Sequence, residues 1–367
     1  MPSANERTTA LPADLAAWLD GVATSLDTTS ENAAAILPRL AEAGLFRIGV
    51  PVALGGRGGD ITDALMAIAA VSERSLAAGF VFWGHRTYID YLLQSPNQGL
   101  RSRLLPALLA GRRAGATGLS NAMKFLSGIE ELQLKAGADG GALRIEGKLP
   151  WVTNLQPGNF DVAAAVQGDG EPAFIVSLSS EDEGLERSAD LDLMALRATS
   201  TAAIRIGNVR VDRDRVIHPD AQAWLPKVRP AFLGLQCGMS IGLARSLIAQ
   251  TRGRLKGGRD VLSEPLDVLA SELAQIEARL CKGIAGALFE TEPWLLFRLR
   301  IRLAEIVAEA VQLELCASGG AAYLSAPGEG FQRRLRESAF IPVVTPSLVQ
   351  LKTALAAHTR AIVSEVA

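Results

Sequence analysis

Trp151 and Thr153, Arg254, the pair Gly319-Gly320, His85 and Thr345 are residues whose types could do chemistry, and each has a plainer reading beside it. A tryptophan next to a strand is by default a core aromatic. The small hydroxyl of Thr153 can donate to a ligand edge without crowding it. The Arg254 guanidinium suits a pyrophosphate, because it donates two parallel hydrogen bonds, but Arg252 and Arg259 nearby also fit a solvated basic loop. Gly319 and Gly320 fit either a helix C-terminus or a close approach of backbone to a phosphate. His85, in Trp83-Gly84-His85-Arg86, reads as a hydrogen-bonded core histidine before it reads as a catalytic one. Thr345 cannot abstract a proton from carbon at neutral pH, since its hydroxyl has no accessible anionic form.

These residues must be positioned by three stretches of different character. The first third is helical in pattern: Pro12 to Leu26, an alanine-rich run that Ser30 can cap, a new turn from Pro38 to Ala43, then Ile61 through Leu93, and a helix ending at Ala110. Gly55 to Asp60 is a glycine loop. The middle alternates in Ala142 to Gly147 and Ala203 to Val211, with strand-length apolar runs at Phe160 to Val166 and Ala173 to Leu178. Gly168-Asp169-Gly170 is a turn between adjacent strands. The last third is helical again, over Ala231 to Thr251, Leu266 to Leu288, Pro293 to Ser318 and Ser347 to Val366. The fold class expected is α+β, mainly α: an N-terminal helical domain (1–112), a middle antiparallel β-domain (113–218) and a C-terminal four-helix bundle (219–367).

Composition narrows the functions. With 367 residues, 49% of them hydrophobic and 21% charged, the chain has ample core for more than one packed unit. A net charge of −2 gives no electrostatic case for nucleic acid or an anionic membrane. The N-terminus lacks a basic region leading into an apolar run, and the longest apolar stretches are broken by charge or glycine short of a membrane span. Cys237, Cys281 and Cys316 are far apart in apolar surroundings and read as reduced, buried thiols. The histidines His85, His218 and His358 have no ligand spacing, so no metal site is expected. A cytoplasmic protein fits this pattern.

Several strings, in a shared order, resemble the acyl-CoA dehydrogenase superfamily. They are Leu40 to Phe46 with Val50-Pro51 and Leu54-Gly55-Gly56; Leu104 to Gly111; Gly118-Leu119-Ser120-Asn121; Glu146-Gly147-Lys148 with Trp151-Val152-Thr153-Asn154; Cys316 to Gly320; and Arg336 to Ser347. The resemblance implies FAD held between the β-domain and the helices, at a dimer face within a homotetramer, and a small-molecule substrate such as an acyl thioester. It implies cofactor contacts from Leu119, Ser120, Trp151, Thr153, Arg254, Gly319, Gly320 and Ser347.

The chain departs from the family at informative places. Ser120-Asn121-Ala122 replaces threonine-glutamate-proline, Gly257 replaces a phenylalanine, and Cys316 replaces a glutamine. Counted without a gap from Arg336, the family's catalytic glutamate falls on Thr345. The alternative position used by some members falls on Phe232 or Val228, and neither is acidic. Glu337 stands at the family's aspartate position and reads as structural. The expectation is therefore a flavin oxidoreductase lacking the usual base, with a flavin monooxygenase and a catalytically silent protein of the same fold as alternatives.

Overall fold

The computed structural model describes residues 10–120, 122, 125, 130–170 and 172–366, with side chains through 360; Asn121 and the N-terminal nine residues lie outside the described residues. Helices α1 (Ala13–Thr28), α2 (Ala33–Glu42), α3 (Ile61–Ser72), α4 (Leu76–Leu93) and α5 (Gln98–Leu109) precede the first strand. Pro38 starts no new turn: it lies inside α2, which Ile36, Leu37 and Leu40 hold by burial. Ser30 makes no side-chain cap there, and Asn32 occupies the N-cap position. The pattern from Ile61 to Leu93 is two helices. Ser75 restarts the chain by accepting from the Ala78 N–H, and the buried Glu337 carboxylate accepts from the Leu76 N–H at 3.0 Å. Almost all of α4 is buried, its polar residues included.

Among the described residues, the middle of the chain forms one eight-stranded sheet: β1 (Ala114–Thr117), β2 (Leu134–Asp139), β3 (Ala142–Val152), β4 (Phe160–Gly168), β5 (Phe174–Ser179), β6 (Leu185–Arg187), β7 (Ala202–Asp212) and β8 (Val216–His218). The order is β6-β7-β3-β2-β4-β5-β8, with β1 also on β4. Most pairs are antiparallel, but β1 and β2 both run parallel to β4, at Ala114 to Thr117 and at Lys135 to Ala136. The parallel pairs arise because β1 arrives from a helix and the β2–β3 hairpin intervenes before β4 returns. Sharing one edge of β4 leaves the chain after Thr117 to leave the sheet, toward the helices.

Five helices of at least two turns follow: α6 (Ala221–Arg252), α7 (Ser263–Ala285), α8 (Pro293–Ser318), α9 (Glu329–Phe340) and α10 (Leu348–Val366). The first begins ten residues earlier than its periodicity suggests. Asp220 caps it by accepting from the Ala223 N–H, and burial of Trp224, Leu225 and Val228 carries the helix through Pro226 and Pro230. Proline inside a helix costs about 3 kcal/mol, which packing on this scale offsets. At 32 residues α6 is long and apolar enough to cross a membrane, contrary to the reading that every apolar stretch is too short. It is instead a core helix, with 94% of its apolar window buried.

Close contact between α6 and α3 depends on glycine. A Cβ on Gly238 would meet the Leu65 carbonyl oxygen at 2.7 Å, and one on Gly242 the Ala69 carbonyl oxygen at 2.2 Å. Helix propensity alone predicts that Gly242→Ala stabilises the chain by about 1 kcal/mol. Overpacking reverses the sign, and thermal or urea unfolding of the variant should show a loss of about 1–3 kcal/mol.

Candidate active site

A cavity of about 630 Å³ lies between the sheet and the helices. Three pieces of the β-domain form one wall: the exit of β1 (Thr117, Gly118, Ser120), the end of β3 and the residue after it (Leu149, Pro150, Trp151, Thr153) and the loop from Leu193 to Leu196. The opposite wall comes from α4, through Phe80 and Trp83, and from the α9–α10 junction, through Phe340, Val344, Thr345 and Ser347. This volume lies within the range of small-molecule sites, roughly 300–1,000 Å³.

The geometry of the β wall follows from a bulge. Register slips between Leu149 and Val152 where β3 pairs with β7, and such a slip re-aims side chains. Trp151 is 62% exposed and lines the cavity, so it is no core aromatic. Just beyond, Asn154 takes φ 62°. Its N–H donates to the Thr199 carbonyl, and its Nδ2 donates to the Gly115 carbonyl at 2.9 Å. Thr153 is buried against this turn, its hydroxyl donating to the Thr199 carbonyl at 3.2 Å. Gly118 permits the close passage of β1, because a Cβ there would lie 2.8 Å from Leu149 Cδ1.

Two buried polar networks fix the helical wall. Asp27 on α1 accepts from the Leu196 N–H at 3.0 Å and from Arg336 Nε at 2.8 Å. Gln236 on α6 donates to the Thr345 carbonyl at 2.9 Å and accepts from Arg300 Nε at 3.0 Å. Arg300 Nη2 also donates to the Ile341 carbonyl at 2.7 Å. Both Gln236 and Arg300 are fully buried. Burial depresses the Arg300 pKa and pushes the neighbouring Cys237 thiol up to about 12. Asp27, Gln236 and Arg300 were missed in the sequence; the only signal was a polar residue within an apolar helix face. Gln236→Leu leaves a buried guanidinium N–H and a carbonyl without their partner, and should cost about 1–3 kcal/mol in chemical unfolding.

Ser120, Trp151, Thr153, Thr345 and Ser347 thus converge on one cavity. Leu119 lies between two lining residues with its own side chain buried. Arg254, Gly319 and Gly320 are elsewhere, at the joint end of α6 and α8. Arg254 donates to the Gln250 carbonyl at 2.6 Å and lies 3.6 Å from Glu314, one turn before Gly319. Gly319 ends α8 with φ 59°. Phe232 and Val228 are core residues, and the Phe232 carbonyl accepts from Trp83 Nε1. Glu337 pairs with Arg333 at 2.8 Å in full burial. Of the cysteines only Cys237 is buried; Cys281 is half-buried and Cys316 exposed, because α8 turns Cys316 outward. Among the described residues no His, Cys, Asp or Glu cluster could hold a metal ion.

His85 is on α4 but faces away from the cavity. Its Nε2 donates to the Leu108 carbonyl at 3.0 Å, and its Nδ1 accepts from the Gly115 N–H at 3.0 Å. That pairing requires neutral imidazole, and burial lowers its pKa to about 4. The unfolded chain therefore binds the proton first, so stability is complete above pH ~6.5 and falls as pH drops toward 4. His85→Gln should show a shallower loss of melting temperature across that window than the unaltered protein.

Residues 16–112 match the family model for the acyl-CoA dehydrogenase N-terminal domain. The chain is 25% identical over 187 residues to mitochondrial isovaleryl-CoA dehydrogenase of Pongo abelii, covering 49% of this chain and 44% of that protein. It therefore spans less than half of that relative's length. Glutaryl-coenzyme A dehydrogenase, in complex with glutaryl-CoA, superposes with a TM-score of 0.78 at 14% identity, covering 96% of each chain. The fold is that of the acyl-CoA dehydrogenases. KijD3, solved with FMN and a dTDP-amino sugar, has the same fold at TM-score 0.78 and 17% identity, over 95% of this chain and 92% of its own. Dibenzothiophene monooxygenase from Paenibacillus sp. A11-2 follows at TM-score 0.74 and 15% identity, over 93% of each chain.

The residues at the cavity fit a flavin ring. Trp151 offers a broad aromatic face, and Ser120 a hydroxyl on the same β wall.

Proposed function

We propose that this protein is a flavin-dependent oxidoreductase that works without the proton-abstracting carboxylate of acyl-CoA dehydrogenases. The observation that carries the proposal is that Thr345 lines the same cavity as Trp151; the ungapped count from Arg336 is what assigns it the family's base position. Its hydroxyl can hydrogen-bond but cannot take a proton from carbon. The two alternative positions, Val228 and Phe232, belong to the core. Among the described lining residues the one carboxylate is Glu130, on the sheet side.

Trp151 and Ser120 would hold the flavin, while Phe80, Trp83 and Phe340 keep water from the opposite end. Bound reduced flavin, with molecular oxygen, supplies oxygen transfer that needs no α-proton base. This form of the chemistry suits the cavity better than thioester dehydrogenation, in which loss of a general base costs on the order of 10²–10⁴ in rate. FAD is the flavin we assign, and an oligomer the working form.

Incubation with FAD should give a yellow protein after gel filtration, eluting larger than one chain. Anaerobic acyl-CoA thioesters should leave its flavin oxidised. A protein that stays colourless with both FAD and FMN would overturn the enzymatic reading in favour of a silent member of the fold. Rapid bleaching by an acyl-CoA would restore ordinary dehydrogenation.

A further inference from the structure

We infer that the substrate end of the cavity takes a neutral, planar aromatic molecule rather than an anionic one. The inference rests on reading the cavity as a combined flavin and substrate site. Thr117, Ser120, Thr153 and Thr201 give the β-domain wall its hydroxyls, where the flavin contacts are proposed, and Thr345, Ser347 and Gln350 stand apart at the α9–α10 junction. The part of the helical end formed by Phe80, Trp83 and Phe340 is a cluster of rings. Phe80 stacks on Trp83 with centroids 5.5 Å apart and planes within 12°. Phe340 leans on Phe80 at 4.6 Å. Phe232 backs Trp83 edge-on at 5.2 Å.

The ring cluster itself has no free polar handle. The single indole donor of Trp83 is used by the Phe232 carbonyl at 3.2 Å. Offset and edge-on ring contacts are the geometry a further aromatic ring would extend. Charge points the same way. Arg336 is the one cation among the described lining residues, and it is held by fully buried Asp27. No described lysine or second arginine lines the cavity to receive a carboxylate or a phosphate. A carboxylate drawn into the aromatic end would lose its hydration without a partner, which is costly.

Isothermal titration of the full-length protein, flavin-loaded and flavin-free, with naphthol, naphthoate and octanoyl-CoA tests the inference. These probes compare one ring system with and without charge, and an aliphatic thioester. Naphthol should bind at least about tenfold more tightly than naphthoate or octanoyl-CoA. Phe340→Ala and the milder Phe80→Leu should each weaken naphthol by roughly three- to tenfold, with unchanged far-UV circular dichroism. Tighter binding of naphthoate or octanoyl-CoA would overturn the inference, as would absence of saturable naphthol binding or affinity unmoved by both variants. Flavin binding is scored separately by colour, so a protein that binds naphthol but no flavin keeps this inference and loses the flavin reading.

Discussion

The buried carboxylate of Asp27 is the constraint on which the cavity depends. It belongs to the first helix, yet its two oxygens hold the Leu196 amide on one wall and the Arg336 guanidinium on the other. A carboxylate without solvent is tolerated only when paired and hydrogen-bonded, so the three segments must stay together for it to remain buried. The spacing between the β-domain and the α9–α10 junction is thereby set from behind. Gln236 and Arg300 do the same for the stretch from Ile341 to Thr345, through carbonyl contacts that specify backbone position and not side-chain identity. Contacts of this kind hold the backbone whatever side chain stands at 345.

The same separation of frame from chemistry runs through the site. His85, Asn154 and Gly115 link α4, β1 and the end of β3 by hydrogen bonds, all outside the cavity. Trp151 and Thr345 both line the cavity, one from the β-domain and the other from the α9–α10 junction. What faces the space between them is mostly apolar. Such a surface favours reactions in which orientation and water exclusion matter more than proton transfer by the protein.

Much of the fold was legible from periodicity and punctuation. The helical, β, helical order, the Gly168-Asp169-Gly170 turn and the strands around it all follow from local pattern. What local pattern missed was set by tertiary contact. Pro226 and Pro230 argue for a helix start near Ala231, yet Trp224 and Leu225 bury the earlier turns. The short, polar α9 has a weak core signature because Phe331 is joined on its buried face by Arg333, Arg334 and Glu337. At the site, the residues in the strings around Trp151 and Thr345 could be named beforehand. Asp27, Gln236 and Arg300 could not, since a buried polar residue is recognisable only once its partner, far away in sequence, is known. His85, whose first reading was a hydrogen-bonded core histidine, is buried and bonded to the Leu108 carbonyl and the Gly115 N–H.

The most direct measurement is a crystal structure of the protein grown with flavin. The account predicts density for the ring between Trp151 and the Val344–Thr345 stretch, with no carboxylate within reach of the face opposite the sheet. A flavin bound elsewhere, or a Glu or Asp side chain swung over the ring at hydrogen-bonding distance from the substrate space, would contradict it.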